Sequence, residues 1–283
     1  FKKDQVAGMD ATAVGGLTAA QMTALDPNAM AGFKKDQVAG LSATAMGGFD
    51  QTRINALAPT AVAGFKADQI QAIDPTAMAG FGKDQVAGLA PTAMGGLAAD
   101  QLKAIDPTAM AGFGKDQLGG LAPTAMAGFD QTRITALDAT AMGGFKKDQV
   151  AQLAPTAMAG FKSDQVANLD AAAVGGFKKD QVAALDPTAM AGFKSDQVAQ
   201  MDPTAMGGFS ADQMKAIDPN AVAGFKQDQV KNFTKTAVGG LTANQFDKLP
   251  DDALKGLTKD NLGGLGTDVV KGFDDATIAK LDP

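Results

Sequence analysis

Large apolar side chains recur at the first and sixth places of every eight residues: Phe1 and Val6, Met9 and Val14, Leu17 and Met22, Leu25 and Met30. Polar and small residues fill the places between them. Two successive octads differ in chemistry, so the full period is sixteen residues. Residues 33–48 read FKKDQVAGLSATAMGG and residues 81–96 read FGKDQVAGLAPTAMGG. Set in rows of sixteen from Phe1, the chain aligns without a gap as seventeen full rows and an eleven-residue remnant, Phe273 to Pro283. A phase held this long marks a repeat solenoid.

The trailing octad of each row carries helix-start signals. Asp stands at the N-cap, as in Asp74 and Asp186, and Pro follows at the first helical position, Pro75 and Pro187, where a missing N–H costs nothing. The closing glycines, Gly80 and Gly192, suit a left-handed residue just past the helix. In the leading octad Thr18, Ser210 and Thr242 precede Gln21, Gln213 and Gln245 by three places, a capping-box pattern. Most rows put Lys at that cap, which is a poor choice, with Asp36 or Asp148 in the first turn as partial compensation.

The sequence therefore predicts an all-α solenoid of 16-residue rows with two short helices per row, stacked as an elongated rod. Helices this short do not hold by themselves in water and need their neighbours. The expected core is the set Phe33, Val38, Leu41 and Met46, repeated as Phe81, Val86, Leu89 and Met94. At about 8–10 Å between neighbouring helices, the stack would run on the order of 150 Å. A β-solenoid with coils of the same length is disfavoured by the periodic Pro, by the Ala, Gln, Lys and Met content, and by the lack of strict alternation.

Residues 1–224 form the regular array and 225–283 a degenerate capping region, where Ala-Met gives way to Ala253-Leu254 and Val269-Val270 and new lysines appear. The N-terminal side shows no such decay. It is expected to continue upstream or to dock onto another chain, with Phe1, Val6 and Val14 offering apolar surface. The segment FDQTRI occurs at 49–54 and 129–134, and Leu17 and Leu97 interrupt the Phe column at the same spacing of eighty residues. This suggests duplication of a five-row block.

Composition narrows the chemistry. The chain has 34 Gly and 14 Met but no Cys, His, Trp or Tyr. That removes disulfides, thiolate metal sites and the commonest general base. A net charge of −6 disfavours nucleic acid as a partner. No apolar run approaches the roughly 20 residues of a membrane span. No unique row gathers a nucleophile–base pair, so neither catalysis nor any cofactor or metal is expected. The Lys35-Asp36-Gln37 columns read as a solvated face laced by weak Lys–Asp pairs. The column Thr44, Thr60, Thr76, Thr92, Thr108 and Thr124 would suit an ice-binding face, although Thr also favours helix starts.

The octads LTAAQMTAL (17–25) and FSADQMKAI (209–217) resemble helical octapeptide arrays of very large bacterial surface and adhesin-like proteins. The resemblance covers the whole chain and transfers no binding or catalytic residue. It implies a secreted or cell-surface structural role in a bacterium: a fibre subunit or adhesin stalk that self-associates end to end or laterally, or meets a surface or matrix partner. The alternatives are an α-solenoid module binding a peptide or glycan, and ice binding through the Thr column.

Overall fold

The computed structural model describes residues 1–281. The chain divides into two compact units, Phe1–Gly144 and the residues from Phe145 onward. Both are all-α repeat solenoids, and the described residues contain no strand.

Every octad folds by the same local rule. Its first two residues are extended, as at Phe81 (φ −74°, ψ 116°) and Gly82 (φ −87°, ψ 170°). The remaining residues coil into a helix of four to six residues. Leading octads form α-helices such as Lys35–Gly40 and Lys83–Gly88. Trailing octads form 3₁₀ turns, such as Ala43–Gly48 and Pro75–Gly80, or single α-turns such as Pro59–Val62 and Pro187–Met190. Runs this short suit the tighter 3₁₀ geometry.

The stacking partner of each helix lies three octads away. In the first unit Lys3–Ala7 packs on Pro27–Gly32, Ala11–Gly15 on Lys35–Gly40, and Ala19–Ala24 on Ala43–Gly48. In the second, Lys147–Val150 packs on Ala171–Val174, and Pro155–Met158 on Lys179–Ala183. Each pair of helix starts differs by 24 residues (27 − 3, 35 − 11, 43 − 19). One turn of the solenoid is thus three octads, while the sequence repeats every two. Leading octads therefore always rest on trailing ones, and each stack alternates the two kinds.

Within each unit the core is a single column of side chains. Phe33, Val38, Leu41, Met46, Phe81, Val86, Leu89 and Met94 are all buried, none more than 4% exposed. Phenylalanines from successive rows meet edge to face at the centre. Phe49–Phe65 and Phe65–Phe81 have ring centroids 6.1 and 6.3 Å apart, and Phe177–Phe193 also 6.3 Å. Burying each such ring contributes roughly 1.5–3 kcal/mol. Val6 and Val14, expected to lie open, are completely buried, because helices Pro27–Gly32 and Lys35–Gly40 cover them. Phe1 is 66% exposed.

The glycine expectation needs correction. Among the described residues no glycine has a positive φ. Gly80 and Gly192 close the octads whose helices Pro75 and Pro187 begin, but their role is steric. A Cβ on Gly80 would stand 2.2 Å from the Gln51 carbonyl oxygen, and one on Gly192 would stand 1.9 Å from that of Ser163. The eighth place of an octad presses against the third place of the octad beneath, and backbone touches backbone there.

Candidate functional site

The fifth place of the leading octad, assigned above to a solvated face, is the structure's main polar site. Lys35 and Asp36 are exposed, but Gln37 is only 1% exposed. Its Oε1 accepts the Lys34 N–H at 2.8 Å, closing the open end of its own helix. Its Nε2 donates to the carbonyls of Val6 (2.8 Å) and Met9 (2.7 Å), where the helix of the coil beneath ends. One buried amide thus serves backbone groups that short helices leave unpaired at both kinds of terminus.

The same corner recurs along both units. Gln69 binds Val38 and Leu41, Gln117 binds Val86 and Leu89, Gln197 binds Val166 and Leu169, and Gln245 binds Met214 and Ile217. The distances in this set run from 2.6 to 2.8 Å. Asn261, one methylene shorter, reaches Val230 and Phe233 only at 3.0 and 3.5 Å. Because Gln caps the helix through the backbone N–H of the second place, that side chain need not cap. Lys34, Gly82 and Ala98 all serve there without a side-chain cap bond. This explains the poor N-cap residues. The signal was present in the sequence as an almost unbroken Gln column; its flanking Lys and Asp disguised it as surface.

Two rows use Arg at this corner. Arg53 donates through Nε to Met22 O at 3.0 Å and through Nη2 to Leu25 O at 3.0 Å and to Thr23 O. Its Nη1 pairs with Asp50, whose other carboxylate oxygen caps the Arg53 N–H at 2.8 Å. Arg133 repeats the arrangement with Asp130, Lys103 O and Ile105 O, leaving its Nε without a hydrogen-bond partner.

Many trailing octads are capped by Asp, while others have Ala at that place, as at Ala58 and Ala90, without a side-chain cap bond. The carboxylates of Asp74 and Asp186 each accept the N–H two places on, from Thr76 and Thr188, at 2.8 Å. The Thr hydroxyls also donate to them at 2.6 Å. These hydroxyl bonds first, then the backbone bonds, hold both carboxyls below the ordinary aspartate value.

The threonines do not align. Thr76, Thr92 and Thr108 sit on helices Pro75–Gly80, Pro91–Gly96 and Pro107–Gly112, which belong to three separate stacks built on Gln51–Ala56, Ala67–Ala72 and Lys83–Gly88. Successive threonines therefore face different sides, and a given side sees one only every second layer.

Depressions on the surface are furrows between stacked helices, such as one lined by Pro107, Thr108, Gln131, Thr132 and Thr135. Among the described residues no three acidic side chains cluster so as to hold a metal ion, and no helix is long and apolar enough to cross a membrane. Neither any protein-family model nor any curated protein matches the chain.

Proposed function

We propose that the protein is structural: a repeat array serving as a fibre subunit or adhesin stalk at a bacterial cell surface, non-enzymatic, and self-associating. The observation that supports this most is how the polar groups are spent. The distinctive buried polar side chains, from Gln37 to Gln245, are committed to backbone in the neighbouring coil. The outward places are as monotonous as the core, with Lys34-Lys35-Asp36 echoed by Lys178-Lys179-Asp180. An adaptor that reads a peptide or glycan needs outward residues that differ from layer to layer. The resemblance to surface-protein octapeptide arrays supports an extracellular setting. Ice binding has less support, since it needs one continuous Thr face and the hydroxyls of Thr76 and Thr188 are engaged in caps.

Electron microscopy of the purified protein across a concentration series tests this reading. Regular fibres or laterally bundled arrays are expected at high concentration. Particles that stay single and irregular at every concentration would contradict it.

A further inference from the structure

Two places of the octad show which side of a coil is covered. The fifth place is buried by the coil beneath, where Gln37 meets the Val6 and Met9 carbonyls. The sixth is buried by the coil above, as Pro27–Gly32 covers Val6. The first and last coils each keep one half of this pattern. In the first, Val6, Val14 and Met22 are completely buried, while Gln5, Ala13 and Gln21 are exposed. In the last, Asn261 and Val269 are buried, while Val270 and Ile278 are 49% and 56% exposed. Among the described residues, the exposed large apolar side chains are these two and Phe1.

The lower face of the first coil holds the donor side of the interior joint. Gln5 and Gln21 still close their own helices, their Oε1 atoms accepting the N–H of Lys2 at 2.8 Å and of Thr18 at 2.9 Å. Their Nε2 groups, which at Gln37 and Gln245 bind the coil beneath, point to no carbonyl of this chain. Gly8 and Gly16 are exposed, and a Cβ on either would meet only its own helix, at 3.4 and 3.5 Å. On interior Gly32 it would stand 2.2 Å from the Lys3 carbonyl oxygen of the coil beneath. The upper face of the last coil holds the acceptor side. Asn261 serves the Val230 and Phe233 carbonyls. Two rows on, the equivalent carbonyls are those of Leu262 and Leu265 (230 + 32, 233 + 32), and among the described residues no side chain donates to them. A terminal cap needs a polar outer face, whereas Val270 and Ile278 keep the apolar sixth place.

We propose that the lower face of the first coil docks on the upper face of the last coil of a second copy, head to tail. This rests on the self-associating structural reading above and gives it its surfaces. The faces continue the coil-to-coil interface that the interior repeats, and donors on one meet acceptors on the other, so two like faces do not match. Leading octads rest on trailing ones throughout the array. Only one of the three rotations obeys that rule for helix Lys3–Ala7, setting it over Thr267–Lys271 of the other copy. Ala11–Gly15 then covers Asp275–Lys280. Val270 and Ile278 become buried, Gln5 faces the Leu262 and Leu265 carbonyls, and Gly8 faces the Thr267 backbone. Such a contact is heterologous and propagates from copy to copy.

Blocking one face at a time tests this, with full-length chains followed by sedimentation velocity across a concentration series. G8R/G16R obstructs the lower face and V270D/I278D charges the upper one; all four positions are exposed, and circular dichroism checks that each variant folds. The parent is expected to form a ladder of oligomers and each variant by itself to stay monomeric. Their equimolar mixture is expected to give a dimer and nothing longer, because one intact face of each kind remains. Assembly of either variant by itself shows lateral or like-to-like contact; it overturns head-to-tail docking and leaves the structural reading standing. A mixture that stays monomeric while the parent assembles also overturns the docking. A parent that is monomeric at every concentration overturns both. Q5E/Q21E keeps the oxygen that closes each helix and removes the donors, so it is expected to weaken association about tenfold or more. Association equal to the parent's would overturn the match of amides to carbonyls.

Discussion

Gln37 shows how much one buried amide does when helices are only one or two turns long. It completes an N-terminus in its own coil and a C-terminus in the coil beneath, with three bonds of 2.7–2.8 Å. Replacing it by Ala leaves a buried N–H and two carbonyls unserved, at roughly 1–3 kcal/mol for a buried group that loses its partner. Q37A is accordingly expected to lose about 3 kcal/mol in denaturant unfolding, whereas K35A, at an exposed neighbour, should stay within about 0.5 kcal/mol of the parent. Equal losses for the two would show that the amide does not join the coils. The glycines divide in the same way. G80A places a methyl against the Gln51 carbonyl and is expected to cost about 3 kcal/mol. For G82A the nearest atom to the new Cβ is Gln85 Oε1 at 3.8 Å, and a nearly neutral result is expected. Comparable melting temperatures for the two alanine variants would remove the steric account of the glycine column.

Several trailing helices owe their N-terminal caps to side chains that titrate. Asp10, Asp74, Asp106, Asp138, Asp186 and Asp202 all have their carboxyls lowered, first by the Thr hydroxyl and then by the Thr N–H two places on. A carboxyl whose folded value lies below its unfolded value stabilises the fold fully above the unfolded value, and that stabilisation is lost as pH falls through the folded one. Thermal unfolding should therefore stay flat from neutrality to about pH 5 and weaken steeply below about pH 4. The D74N/D106N/D186N variant should show a shallower acid slope; an unchanged slope would place the acid sensitivity elsewhere.

These caps were legible because Asp, Pro and the apolar place after them follow general helix-start rules. The Gln corner was not, because its partners lie 28 and 31 residues away and a polar column beside Lys and Asp reads as surface. The glycines were placed correctly at octad ends, but the reason was inverted. A residue that closes a helix and one that lets two backbones touch are both Gly, and only stacking separates them.

For each unit as a whole, the sequence carries the chemical period and the backbone carries the turn. Two alternating octads make the sixteen-residue row, but the extended pair that opens every octad, such as Phe81 and Gly82, sets how far the chain swings before the next helix. Three swings close a coil, and no periodicity in residue type records that number. The mismatch has a structural benefit. It sets most Phe places over Leu or Ile places and corner Gln over Ala; the Phe209–Phe233 pair, with centroids 5.7 Å apart, is one exception.

Spin labels separate a 24-residue coil from a 16-residue one, and the absence of native cysteine makes their placement clean. Thr44 and Asp68 lie on the stacked helices Ala43–Gly48 and Ala67–Ala72, both exposed and 24 positions apart (68 − 44). Thr44 and Thr60 are 16 apart (60 − 44) and lie in different stacks. Labels on the T44C/D68C variant are expected to couple strongly, at helix-packing distances of about 10 Å between backbones, and those on T44C/T60C to be clearly farther apart. A shorter distance for the T44C/T60C pair would mean that each row stacks on the next, and the three-octad coil would be wrong.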